Sequence, residues 1–334
     1  MLEVRVWSSR IVAAVALVLL AVVLIQLVSV LGAPPPRKRG DWHRKYAWRA
    51  ERYFPGQPQV IELCYAIEAN DLEEIDRLVA AGADVNAKGV SNMTPLMWAY
   101  PDGNLRRFKR LLERGANPNV IVQSELNTNG KIKNGEFVTH LAVLNPDIEY
   151  FKAVFNGGGD PNLLTKRPDE LDEKPLFQLI RWGGADKKER LRILIARGAD
   201  LEGRDYAGTT PAMQAESWGG QYDIALLILE SGADPFAYQD DWIMKLAHVV
   251  LREKTRPKSP EQAKSFAELY RWMEAKGVDF SEAQADRDRW RSSTAYSIQA
   301  KNRELQQEAR RNRAAAARSR AKKQGLDVQE PAAH

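Results

Sequence analysis

The sequence predicts an all-α solenoid of about six helix–turn–helix repeats with hairpin loops, set behind a single N-terminal transmembrane helix. Three observations lead there. A Gly-Ala-Asp turn recurs at Gly82-Ala83-Asp84, Gly115-Ala116-Asn117, Gly158-Gly159-Asp160, Gly198-Ala199-Asp200, Gly232-Ala233-Asp234 and Gly277-Val278-Asp279, at spacings of 33, 43, 40, 34 and 45 residues. An amphipathic stretch precedes each copy, as in EEIDRLVAA, RRFKRLLER and ERLRILIAR. Most copies also have a Thr-Pro-Leu-like start upstream, at Thr94-Pro95-Leu96, Thr139-His140-Leu141, Lys174-Pro175-Leu176 and Thr210-Pro211-Ala212. Neither helix of such a unit can bury its apolar face alone, so neighbouring units must stack.

Residues 1–10 form a short flank. Ile11–Leu31 then run for 21 positions without a charge, only Gln26 and Ser29 being polar. At about 1.5 Å per residue this run spans the ~30 Å hydrocarbon core. It exceeds the apolar core of a cleaved signal peptide, and Ala33 is followed by Pro34-Pro35-Pro36, a poor cleavage context. An uncleaved membrane anchor is therefore expected at 11–31. Residues 32–57 read as a Pro-rich basic stalk, whose Trp42, Tyr46, Trp48 and Tyr53 either rest among lipid headgroups or pack on the first repeat. Residues 58–283 are the repeat domain. Residues 284–334 are a basic segment without an apolar stripe, expected as a solvated helix or a disordered tail.

Within each unit, Pro95, Pro175 or Pro211 opens a first short helix, where its missing N–H costs nothing. A turn reverses the chain, and a second helix follows with apolar residues at i, i+3 and i+4. Gly82, Gly115, Gly198 and Gly232 then end that helix in a left-handed conformation. Asp84, Asn117, Asp160, Asp200 and Asp234 shape the turn through side-chain bonds to nearby backbone.

Charge is unevenly spread. Residues 1–54 and 284–334 each carry a net +6, whereas 55–283 hold 28 Lys/Arg against 35 Asp/Glu, a net −7. The alkaline pI therefore says little about the body, and nucleic acid is not expected as its partner. The single cysteine, Cys64, excludes an internal disulfide and lies in the apolar run VIELCYAI as a buried packing residue.

The pairing of Gly-Ala-Asp turns with Thr-Pro-Leu starts resembles the ankyrin repeat, whose period is about 33 residues. The resemblance covers about 58–283; Thr139-His140-Leu141 and the sixth unit around Met244–Leu251 depart from the pattern. It implies an ankyrin-repeat solenoid whose first-helix ends line a concave groove. That places Asp102, Asp147, Arg181, Trp182, Ser217 and Trp218 as candidate protein-binding residues, with Trp182 and Trp218 side by side. The insertion VIVQSELNTNGKIKNGEF adds about ten residues between the second and third turns, and Asn129-Gly130 is a hairpin signal. Asn129, Gly130 and Lys131 are accordingly candidates at the tip of a projecting finger.

No G-x-S-x-G, G-x-x-x-x-G-K-[ST], H-E-x-x-H or G-x-G-x-x-G occurs, and the four histidines are scattered. Neither an enzyme nor a cofactor or metal is expected. The chain also looks like bacterial ankyrin-repeat proteins with an N-terminal membrane segment. Some of those act as immunity proteins that block a secreted phospholipase-type toxin, and others support periplasmic catalase. The resemblance implies a monomeric, single-pass inner-membrane protein that binds another protein, a cognate toxin among the candidates, with its body in the periplasm. The Lys/Arg count on the flanks of 11–31 points instead to the cytoplasmic face. A cytoplasmic-facing scaffold whose basic tail contacts anionic lipid or nucleic acid stays open beside it.

Overall fold

Six helical hairpins follow one another among the described residues. The computed structural model describes residues 41–124, 132–165, 173–184, 186–239 and 244–292. The expected anchor at 11–31 and the tail beyond 292 lie outside the described residues, and no described helix is long and apolar enough to cross a membrane. After α1 (Asp41–Lys45) and α2 (Ala50–Tyr53), the hairpins are α3 (Pro58–Ala69) with α4 (Leu72–Ala80), α5 (Pro95–Ala99) with α6 (Leu105–Glu113), and α7 (Val138–Leu144) with α8 (Ile148–Asn156). They continue as α9 (Pro175–Trp182) with α10 (Lys187–Ala196), α11 (Pro211–Ser217) with α12 (Tyr222–Glu230), and α13 (Leu246–Lys254) with α14 (Pro260–Ala275). A lone α15 (Phe280–Ser292) closes the described array. First helices stack on first helices at α3·α5, α7·α9, α9·α11, α11·α13 and α13·α15, and second helices stack behind them at α6·α8, α8·α10 and α12·α14, giving two layers around one apolar core.

The recurring glycines take the conformation that their role requires. Gly82, Gly115, Gly158, Gly198, Gly232 and Gly277 all have φ between 81° and 110°, where a Cβ is penalised. The residue two positions later makes the same turn each time. Asp84 Oδ1 accepts from Asn86 N at 2.8 Å, Asn117 Oδ1 from Asn119 N at 2.8 Å, Asp160 Oδ1 from Asn162 N at 2.8 Å and Asp234 Oδ1 from Phe236 N at 2.8 Å. Asp200 does so with Glu202 N at 3.1 Å.

Sequence reading missed what the following asparagine does. Asn86 Nδ2 donates to Gly115 O at 2.9 Å while its Oδ1 accepts from Asn117 N at 2.7 Å, so it clips one turn to the next. Asn119 repeats this with Gly158 O and Asp160 N, and Asn162 with Gly198 O and Asp200 N. Glu202 continues the ladder by accepting from Asp234 N at 2.6 Å; Phe236 then stands in the asparagine position, exposed. Asn162→Ala removes two inter-repeat bonds and should destabilise the array by about 1–2 kcal/mol, read as a lower urea midpoint.

Thr94 and Thr210 cap their helices by accepting from Met97 N at 3.2 Å and Met213 N at 3.3 Å, with Pro95 and Pro211 as first helical residues. The third unit differs. With His140 in place of proline, the chain retains an N–H that bonds Phe137 O at 3.1 Å, so α7 begins at Val138 and Thr139 lies inside it, buried. In the sixth unit, His248 substitutes for the missing signature: its Nδ1 accepts from Lys245 N at 2.9 Å.

Both ends of the body extend beyond 58–283. Residues 41–54, expected in a basic stalk, are folded on the first hairpins, with Trp48, Phe54 and His43 fully buried. His43, Trp48, Tyr53 and Phe54 surround the Trp98 ring at centroid distances of 4.8, 5.4, 5.8 and 6.3 Å. The physical reason is that the first unit of a stack has an uncovered apolar flank, and these aromatics cover it. At the other end, α15 runs straight through the 283/284 boundary. Phe280 and Ala283 are buried, and Trp290 packs on His248 at 4.8 Å.

Candidate aromatic groove

Because α9 and α11 both start at a proline and have nearly equal lengths, their last turns fall level. Leu176, Phe177, Leu179 and Ile180 point into the core, which leaves Arg181 and Trp182 at the end of α9. Lys187 Nζ at 2.8 Å and Gln221 Nε2 at 3.0 Å satisfy Ile180 O, so this helix end is held by the helix behind it and by the next unit. In α11 the corresponding position is Trp218, followed by Gly219 and Gly220, both at positive φ. The result is an edge-to-face pair, Trp182 on Trp218, with centroids 5.7 Å apart and planes at 74°. Trp182 is 61% and Trp218 44% exposed. Such a geometry is worth about 0.5–1.5 kcal/mol beyond burial, which keeps two large rings in place on the surface.

Arg181 extends the patch without offering a free charge. It pairs with Glu173 at 3.1 Å and Asp205 at 3.0 Å; with the Gln214 amide turned so that its oxygen faces the guanidinium, that oxygen accepts from Nε at 2.6 Å and Nη2 at 2.7 Å. Asp205 is itself fixed by the N–H groups of Ala207 and Thr209 at 2.8 and 2.9 Å. The guanidinium so held lies 5.1 Å from the centre of the Tyr206 ring and 5.8 Å from that of Trp218. Behind Trp218 opens a cleft of about 210 Å³ between first helices and loops, walled by Tyr206, Trp218, Met244 and Val249 and edged by Gln214 and Arg252. Of the exposed large apolar side chains among the described residues, Trp182, Tyr206, Trp218, Phe236 and Tyr238 all belong to the fourth and fifth units, so the apolar surface is concentrated there.

The other candidates have local roles. Asp102 pairs with the buried Arg107, and Asp147 caps α8 by accepting from Glu149 N at 2.9 Å. Ser217 Oγ accepts from Arg252 Nη2 at 2.9 Å, which ties the fifth unit to the sixth. Asn129, Gly130 and Lys131 lie outside the described residues; the described parts of the insertion are joined by Val122 N to Glu136 O at 2.9 Å and Gly135 N to Val122 O at 2.8 Å. No group of three or more His, Cys, Asp or Glu among the described residues is placed to hold a metal ion.

Two buried charged residues escaped sequence reading. Arg190, on α10, reaches back to the carbonyls of Ala142 at 3.2 Å and Asn145 at 2.8 Å, closing the end of α7. Glu216, on α11, is fully buried with both carboxylate oxygens lacking a hydrogen-bond partner. Burial first, then the neighbouring Glu253, pushes its carboxyl up to about 8. Nothing in PAMQAES distinguishes Glu216 from a solvated helix residue.

Parts of this chain are similar to known proteins. The ankyrin repeat family matches residues 91–121, which hold α5, α6 and the turn after them. Over 138 residues, 40% of this chain, the sequence is 33% identical to protein glp-1 of Caenorhabditis elegans, and over 160 residues, 39% of it, 29% identical to the mitochondrial disaggregase of Bos taurus. The matches span only 9% and 24% of those proteins. Among solved structures, the ankyrin repeat domain of Bcl-3 superposes with a TM-score of 0.44 at 18% identity, covering 65% of this chain and 86% of that one.

Proposed function

From the premise that the body is an all-helical ankyrin-repeat solenoid, a scaffold typical of protein–protein interaction, we propose that this chain is a membrane-anchored, non-enzymatic protein that holds another protein in its groove. The observation that carries this reading is the exposed Trp182–Trp218 pair beside the Tyr206–Met244 cleft. Exposed, preorganised aromatics at the centre of a contoured surface are the residue type that dominates binding energy. The charge-free run at 11–31 supports the anchor. Within this reading the partner is a secreted phospholipase-type effector of the same bacterial cell, which the protein neutralises on the periplasmic side of the inner membrane.

The test is affinity purification of the full chain, solubilised from its own cells in mild detergent. A single stoichiometric partner is expected, with at least a tenfold loss of affinity in Trp182→Ala/Trp218→Ala, on the order of 2 kcal/mol or more for two such residues. Both rings are surface residues, so the double variant should keep its helical circular dichroism. Recovery of no partner at low salt overturns the reading. A C-terminal reporter active in only one compartment decides the side of the membrane.

A further inference from the structure

A short run of positive charge starts at the aromatic cleft, which Arg252 lines. Arg252, Lys254, Arg256 and Lys258 fall within seven residues at the end of α13, interrupted by the single acid Glu253. Glu253, whose side chain is 2% exposed, serves two guanidinium groups, lying 3.3 Å from Arg252 Nε and 3.0 Å from Arg256 Nη1. Lys258 donates to the carbonyls of Glu253 and Arg256, and Lys254 lies 5.1 Å from the Tyr270 ring centre. Of the acids nearby, Glu216 is wholly buried, and Asp205, which also lines the cleft, is paired with Arg181. One carboxylate against four cations leaves the edge positive. Arg252, which bonds Ser217, also lines the cleft, so charge and apolar surface are continuous.

Resting on the reading of this groove as a protein-binding site, we propose that it receives an acidic segment of the partner carrying one large apolar anchor residue. The anchor enters between Tyr206, Trp218, Met244 and Val249, and the acidic side chains lie over Arg252, Lys254, Arg256 and Lys258. The size of the cleft matches a single side chain rather than a helix or a second domain. Charge argues against two other occupants. Residues 293–334 of this chain hold nine Lys/Arg against four Asp/Glu and are repelled by the same edge. A long polyanion such as nucleic acid meets an otherwise acidic body, net −7 over 55–283.

The experiment pans a random dodecapeptide phage library against the detergent-solubilised full chain, then titrates the enriched synthetic peptides by tryptophan fluorescence. Enriched peptides should combine several Asp or Glu residues with one Trp, Phe or Leu. Their affinity should fall at least tenfold in Trp218→Ala and about tenfold in Lys254→Glu/Arg256→Gln, and should weaken as salt rises. Urea midpoints within experimental error of the parent show that neither variant acts through unfolding. Peptides that depend on Trp218 but are neutral or basic overturn the assignment of an acidic partner while leaving the protein-binding groove intact. No peptide depending on Trp218 overturns both. Tighter binding of a short single-stranded oligonucleotide, lost in the same charge variant, transfers the edge to nucleic acid and overturns the proposal.

Discussion

Glu216→Gln is expected to make the array far less sensitive to alkaline pH. The carboxyl ionises at an ordinary 4.5 when the chain is unfolded but only near 8 in the folded protein, because burial and Glu253 both oppose the charged form. A raised folded value means that the stabilising contribution is fully present below pH 4.5. It is lost as pH climbs from 4.5 through 8, since the unfolded chain releases a proton that the folded one retains. Above about 8 the loss is complete. A shift of this size corresponds to an order of 5 kcal/mol. The amide variant has no proton to release, so its advantage over the parent should grow by that order between pH 5 and pH 9. The groups that face Glu216 bear on the same window. Glu253 raises its value, Arg252 and Lys258 lower it, and Tyr222 is itself pushed up to about 12, outside the range. Because a solenoid can unfold in parts, hydrogen exchange across α11 to α13 is the sharper readout, with urea midpoints at both pH values beside it. Equal pH slopes in parent and variant would show that Glu216 is solvated.

The second large effect is expected at the N-terminal end. Trp48→Ala should cost about 3–5 kcal/mol, the range for emptying a fully buried large aromatic site. Trp48 has no exposed surface and packs on Trp98, 5.4 Å away, and on His43, 5.7 Å away. His43 in turn places Nε2 3.0 Å from Trp98 O. The fit is close: a Cβ on Gly89 would stand 2.2 Å from Tyr53 O, so the loop after the first unit touches the cap backbone directly. Loss of exchange protection should begin in α3 and α5 and spread from there. A tryptophan in a solvated stalk would change stability by no more than about 0.5 kcal/mol, and that result would detach residues 41–57 from the body.

Much of the fold was legible because it depends on residues whose chemistry leaves few choices. A glycine after an amphipathic stretch, followed by Asp or Asn, dictates a left-handed turn with a side-chain brace, and all six sites have that backbone. Prolines at 95, 175 and 211 mark helix starts for the same reason. Cys64, expected in the core, is fully buried. Trp182 and Trp218 could be aligned on successive units, since equal spacing from a fixed helix start sets the register.

Other features needed three dimensions. Asn86, Asn119 and Asn162 each bond across 29 to 41 positions to the next unit, and no local pattern encodes that partner. Whether Trp48 meets lipid or Trp98, whether Glu216 meets water or Glu253, and whether Trp182 stays exposed all turn on which surfaces neighbouring units cover. The sequence by itself determined the repeat, its turns and the level of its helix ends, because those follow from backbone conformations that particular residues impose. Tertiary structure alone decided burial at the ends of the stack and the joining of an aromatic cleft to a cationic edge. Those arise from contacts between units, whose strength depends on what each leaves uncovered.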